Sequence, residues 1–309
     1  MGVFQGSSLG PLLFQIFVND MCLFTDGAQV VQYADDTQII ISGKKSQLPD
    51  LVSKLQGTLG LLDTWFHSHG LKVNTKKTEL LLFGSRQNCR DLDPVSVEFR
   101  DDTIKEGHTV KNLGVIFDKH LTWDAHVSCL VKKCYGILIG LAHVRHSIPS
   151  ELLPFIVNAL VVSHVRYCLA VIGNGSQLNM IRLDKILNFA LRVISGKRKF
   201  DHISEVRVET GWPTSQQLYT QHSLNLLHKI RNTGEPYVLA SRLNTNSDIR
   251  PRSTRQNHDL ALPRVRTEAG KRRFLYQTAQ HYNRLPLDIR SSNISTFKAK
   301  LEELMSLSA

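Results

Sequence analysis

The feature that most constrains this chain is a change of apolar rhythm near Trp123. Before it, short β-prone runs alternate with one long helical pattern; after it, nearly every apolar residue falls on a helical repeat. In the first part, Leu9, Leu12, Leu13, Ile16, Phe17 and Val18 mark an apolar helix or buried segment over 9–24. Residues 30–33 and 39–41 read as the strands of a hairpin around Ala34, Asp35, Asp36 and Thr37. Leu51, Leu55, Leu59, Leu62 and Phe66 recur at helical steps, with Pro49 and Asp50 in the first turn and Gly70 as the stop. Further strands are expected at 71–73, 79–83, 95–99 and 109–117. Beyond Trp123, one helix carries Val127, Leu130, Val131, Cys134, Leu138, Leu141 and Val144 on a shared face. Others are expected over 150–171, 177–194 and 216–231, then a polar loop over 245–266 and basic helical pieces at 268–284 and 295–307. That order predicts an α+β fold divided into 1–123, 124–205 and 206–309.

The charge is as uneven as the apolar pattern. Of the net +11, the stretch 250–300 carries +9, from 12 Lys/Arg against Asp259, Glu268 and Asp288. A concentrated field of that sign suits a polyanion, with nucleic acid ahead of an anionic membrane surface; the plain alternative is a solvated basic helix face. Arg272, Arg273, Arg284 and Arg290 interleave there with Phe274, Tyr276 and Tyr282. Arginines offer phosphate contacts and aromatics could stack on unpaired bases, unless those rings belong to a core. The longest apolar tract, 152–172, is interrupted by Pro154, Asn158, His164 and Arg166, so no membrane-spanning helix and no membrane partner is expected. Five cysteines form no CxxC pair, which argues for reduced thiols in the nucleus or cytoplasm and against a disulfide framework or structural zinc.

The chemical centre is Asp35–Asp36. Two adjacent carboxylates raised on apolar strands repel and lose hydration unless a hard cation neutralises them. Oxygen ligands favour Mg²⁺, and paired Mg²⁺ ions stabilise the attacking and leaving oxygens in phosphoryl transfer. Aspartate is also a common turn former, so the pair alone decides little.

The surrounding residues decide more. Phe4, Gln5, Gly6, Ser7, Ser8, Leu9, Gly10, Pro11, Leu12, Leu13 and Phe14, followed by Tyr33, Ala34, Asp35, Asp36 and Thr37, resemble the palm of reverse transcriptases, in the style of non-LTR (LINE-type) retrotransposons. Gly70 to Asn74, with Lys77, Thr78 and Glu79 and with Phe83 and Gly84, is similar to the next palm motif. Asn112 to Asp118, with Leu121 and Trp123, is similar to the primer-gripping turn. Tyr282 to Pro286, then Ile289, Arg290, Phe297 and Lys298, resembles the C-terminal end of those polyproteins.

The resemblance implies a partial palm, a helical thumb and a basic helical C-terminal region. It implies RNA-templated DNA synthesis with Mg²⁺, or Mn²⁺ in its place, and as partners an RNA template, a DNA primer and deoxynucleotides. Asp35 and Asp36 would be two of three metal-binding carboxylates. Gln5, Gly6 and Ser7 would line the template and nucleotide, and Tyr33 would pack near the primer end. Lys77 would sit by the triphosphate and protonate the leaving pyrophosphate; without the resemblance it is an ordinary turn lysine. Leu113 and Gly114 would belong to the primer grip. The family's first catalytic aspartate and its fingers precede the motif at Gln5, so the sequence given is expected to be the C-terminal part of such an enzyme, inactive alone. The alternative is a non-catalytic nucleic-acid-binding protein derived from a retroelement.

Overall fold

Ser7 and Pro11 start the first helix, α1 (Gly10–Val18): Ser7 Oγ accepts the Gly10 N–H at 3.0 Å, and a proline in the first turn gives up no helical hydrogen bond. The computed structural model describes residues 6–249 and 257–306. The apolar run expected over 9–24 is helical throughout, passing from α1 into a 3₁₀ turn, Asn19–Phe24. Strands β1 (Gln29–Tyr33) and β2 (Asp36–Ile40) then pair antiparallel, with Val30 opposite Ile39 and Tyr33 opposite Asp36. The leucine pattern makes α2 (Leu48–Ser68), which stops before Gly70 at φ +64°. Its buried aromatic is Trp65, at 1% exposure, while Phe66 is only partly covered.

Trp65 and Leu62 join Val18 and Met21 in one small core, against which Phe14, Val30 and Ile39 pack. A short helix, α3 (Arg86–Cys89), is capped by Ser85 Oγ on the Asn88 N–H. Strands β3 (Ser96–Phe99) and β4 (Asp102–Lys105) alternate as half-buried strands should, with Val97, Phe99 and Ile104 turned inward onto Leu59. Strands β5 (Thr109–Asn112) and β6 (Val115–Asp118) complete three separate two-stranded sheets among the described residues. The strands expected at 71–73 and 79–83 do not form ladders. A 3₁₀ turn, Thr75–Lys77, lies between them, and the pairing is a lone bridge from Leu80 to Glu106. Their alternation signals burial, since Val73 and Leu80 pack on the Leu59 core, but no neighbouring strand offers them a ladder.

The chain divides into two compact units, Met1–Asn112 with Phe117–His120, and Leu113–Ile116 with Leu121–Ala309. In the second, α4 (Asp124–Val144) buries Val127, Leu130, Cys134 and Leu138. By length and composition Asp124–Ser147 could cross a membrane, against the expectation of no spanning helix; here α4 packs on a later helix of the same unit. Burial pushes the Cys134 thiol up to about 11, as befits a core residue.

The helix expected over 150–171 is segmented into α5 (Leu153–Val157), a π turn (Asn158–Val162), α6 (Ser163–Arg166) and α7 (Leu169–Ile172). Val157, Val161, Val162, Val165 and Leu169 are all buried, and the wider π turn turns both Val161 and Val162 inward. Cys168, at φ +53°, breaks the path before α7. Helix α8 (Gln177–Ser195) packs against α4, ends on Gly196, and leads through α9 (Ser204–Thr210) to α10 (Ser215–Thr233).

Short helices α11 (Tyr237–Ala240), α12 (Asn246–Ile249) and α13 (Glu268–Lys271) precede α14 (Phe274–Asn283), α15 (Leu287–Arg290) and α16 (Ile294–Ser306). Helix α10 is the hub, touching α7, α8, α14 and α16. At its centre His228 stacks on Phe297 at 3.8 Å between ring centroids. Its Nε2–H donates to the Ser292 carbonyl at 3.0 Å, leaving Nδ1 to accept from the Tyr282 hydroxyl at 2.9 Å.

Candidate catalytic hairpin and nucleic-acid interface

The β1–β2 hairpin closes through Ala34 and Asp35, with Ala34 in the left-handed region at φ +53°. A two-residue turn places Asp35 in the turn itself and Asp36 at the first position of β2, directly opposite Tyr33. Two consecutive aspartates therefore occupy the tip, and the Val30–Ile39 pair anchors the hairpin's base in the core with α1 and α2. Both aspartates are exposed, as are Val31, Tyr33 and Ile40. The expected desolvation of the pair is thus not met: the strands are buried on one side only, and the tip remains hydrated. Two adjacent oxygen-donor side chains fit a hard divalent cation in kind. Among the described residues no cluster of three or more His, Cys, Asp or Glu side chains forms around them or elsewhere.

Asp20, in the 3₁₀ turn after α1, accepts the Trp65 indole N–H at 3.2 Å and lies 3.8 Å from His69. It is thus committed to packing the helix face behind the hairpin.

The neighbouring motif residues divide by what they do locally. Gln5 lies outside the described residues. Gly6 has φ +85°, a left-handed conformation that favours glycine, with open space where a Cβ would stand. Ser7 is spent on the start of α1. Lys77 closes the 3₁₀ turn, its N–H donating to the Asn74 carbonyl at 3.1 Å, and its side chain is exposed. Beside that turn lies a pocket of about 310 Å³ lined by Thr75, Lys76, Glu79, Asp102 and Lys105. Thr75 donates its hydroxyl to the Asp102 carboxylate across it.

Leu113 and Gly114 form the β5–β6 turn, at φ +45° and +82°. Sequence reasoning missed what holds this turn: the Tyr167 hydroxyl donates to the Leu113 carbonyl at 2.6 Å, and the Tyr167 ring lies against Gly114. The two residues are 54 positions apart, and no local pattern links them.

In the basic C-terminal region Arg272, Arg273 and Arg284 are exposed. Arg290 is not free, pairing with Asp259 at 2.8 Å with its side chain 9% exposed. Tyr282 is fully buried and Phe274 packs on the same cluster. The plain reading is therefore correct for Tyr282, which is core, and Phe274 has part of its ring covered by the same cluster.

Residues 1–117 match the family model described as reverse transcriptase (RNA-dependent DNA polymerase). The chain is 25% identical over 255 residues to a probable RNA-directed DNA polymerase from transposon BS of Drosophila melanogaster, covering 78% of this chain and 27% of that protein. It is 28% identical over 134 residues to the RNA-directed DNA polymerase from mobile element jockey of the same species, covering 41% of this chain and 14% of that protein. To a probable RNA-directed DNA polymerase from transposon X-element, again of that species, it is 25% identical over 273 residues, or 84% of this chain and 28% of that protein. The chain thus spans less than a third of the length of these curated relatives. No solved structure gives a significant match. The matched segment includes the whole β1–β2 hairpin, and the α+β architecture agrees with a reverse-transcriptase palm followed by a helical region.

Proposed function

We propose that this chain supplies part of the active centre of a retrotransposon RNA-directed DNA polymerase. The observation that carries the reading is the exposed Asp35–Asp36 pair at a tight hairpin tip inside the segment similar to reverse transcriptases. Asp35 and Asp36 would hold Mg²⁺, or Mn²⁺ in its place, which when bound neutralises charge on the transferring phosphoryl group. Gly6 and Ser7 fix the entry into α1 along the template side, and Tyr33, facing Asp36 across the turn, offers an exposed ring to the primer end. Lys77 is a cationic group for the triphosphate. Leu113 and Gly114, braced by Tyr167, present a rigid turn to the primer. Residues 124–205 act as a thumb and 206–309 as a basic C-terminal region, the arginines 272, 273 and 284 contacting phosphates. The substrates are an RNA template, a DNA primer and deoxynucleotides, handled inside the cell.

Two carboxylates alone bridge a pair of cations poorly, and no third one joins them among the described residues. The 309-residue chain by itself is therefore expected to bind nucleic acid without copying it. Primer extension on RNA tests this, using the chain alone and mixed with the upstream part of a jockey-type polymerase carrying its own aspartate. The reading predicts product only from the mixture, and none when Asp35→Asn is introduced. Product indifferent to Asp35→Asn would overturn it.

A further inference from the structure

With Tyr282 in the core and Phe274 half-buried against it, a fully exposed ring set in a basic run is Phe200, 87% exposed. It follows Lys197, Arg198 and Lys199, all exposed, and Lys199 Nζ lies over its ring at 5.4 Å from the centroid. The run begins where α8 ends on Gly196, at φ +72°. Beneath it is a cleft of about 610 Å³, whose α8 wall is the stripe Asp184, Asn188 and Arg192 at successive steps of four.

The lining itself is balanced, Arg192 and Arg207 against Asp184 and Asp201, and the positive excess lies in the 197–199 run at its edge. Asp184 accepts the Ser215 N–H and Asp201 accepts the Arg198 N–H, both at 2.7 Å, so each carboxylate is turned to a backbone donor. Arg207 is clamped by the Asn188 side chain and by the Trp212 carbonyl at 3.1 Å. Arg192 reaches the Asp201 carbonyl at 3.3 Å, yet its buried Nε–H has no partner among the described residues. Over 192–207 five basic residues face two acidic ones, net +3. A lone exposed Phe is unremarkable on a protein surface. Here it joins a cationic run to a cleft that holds an unsatisfied arginine donor.

We propose that this cleft is a second nucleic-acid site, taking an unpaired strand with a base stacked on Phe200 and phosphates on Arg192 and the 197–199 run. It rests on the reading of the chain as a nucleic-acid handler, and lies in the helical unit rather than in the unit carrying the hairpin. Stacking requires an unpaired base, whereas the phosphate contacts do not, so single and double strands should respond differently to loss of the ring.

Fluorescence anisotropy of the full chain with a labelled 15-nucleotide oligouridine and with an RNA hairpin of equal charge tests this. Phe200→Ala should weaken oligouridine binding roughly tenfold, the effect of losing one base–aromatic stack, and leave the hairpin nearly unchanged. Phe200→Trp should retain affinity, and the melting temperature should not move because the ring is exposed. Replacing Lys197, Arg198 and Lys199 together by Ala should lower the log–log salt slope by up to about 2, at roughly 0.7 per phosphate contact. Equal binding by Phe200→Ala, or equal loss on both RNAs, overturns the site. If the basic variant loses binding to phosphatidylserine vesicles but not to RNA, the surface serves a lipid and the proposal is wrong. If the wild-type chain binds no RNA at low salt, this site and the polymerase reading fail together; binding indifferent to these variants removes the site alone.

Discussion

Tyr167 holds the Leu113–Gly114 turn through one hydroxyl, so a single oxygen isolates the contact. Tyr167→Phe should cost about 1 kcal/mol, the usual net worth of one hydrogen bond, and should speed amide exchange around Gly114 more than elsewhere. Exchange at the turn equal to wild type would mean that β5 and β6 hold it without help. Phe297 belongs to a different class, being 1% exposed and stacked on His228. Phe297→Ala should remove about 3–5 kcal/mol by opening a cavity that α10, α14 and α16 cannot close. Urea unfolding measures this, and a loss under about 1 kcal/mol would show that the cluster repacks. At this scale the acidic pair was legible in the sequence, because its turn chemistry is local. Tyr167 and Asp20 were not, since their partners Leu113 and Trp65 lie 54 and 45 residues away.

Elements read well where one signal acts alone. Helix α2 follows its leucine spacing and its proline and glycine punctuation, and α8, Gln177–Ser195, ends one residue past the 177–194 expected. Misreadings arose where two signals conflict. Residues 71–73 and 79–83 alternate like strands but find no partner strand, and the 150–171 helix widens to a π turn to bury adjacent valines. The basic segment's aromatics gave a surface pattern in sequence, yet Tyr282 is core because His228 and Arg231 satisfy its hydroxyl. Helix α10, the hub of its unit, starts with a reciprocal cap between Thr214 and Gln217. Thr214→Ala should therefore cost about 1 kcal/mol, read as a lower urea midpoint with unchanged slope. A neutral result would show that packing on α7 and α14 fixes the helix start without the cap.

For the whole molecule, four histidines of the second unit, His126, His222, His228 and His281, have pKa values lowered first of all by burial. Nearby Arg166 and Lys298 add to this at His222, Arg231 at His228 and Arg284 at His281; at His228 the bond to Ser292 opposes it. Unfolded, such side chains take up protons near pH 6.5, whereas folded they resist. Stability should thus be flat above about pH 6.5 and fall as pH drops below it, in the unit built on α4, α8 and α10 first. Thermal melts from pH 8 to 5 that stay level would contradict this. The central claim, that the tip at Asp35 and Asp36 is a cation site and not merely an acidic turn, has an internal control. Asp101–Asp102 is a second adjacent pair at a hairpin turn, but Asp102 is engaged by Thr75. The decisive measurement is paramagnetic broadening of backbone amide resonances as Mn²⁺ is titrated into the full chain. The account predicts broadening at 33–37 at lower Mn²⁺ than at 100–103, abolished by combining Asp35→Asn with Asp36→Asn. Equal broadening at both turns, or none at 33–37, would contradict it.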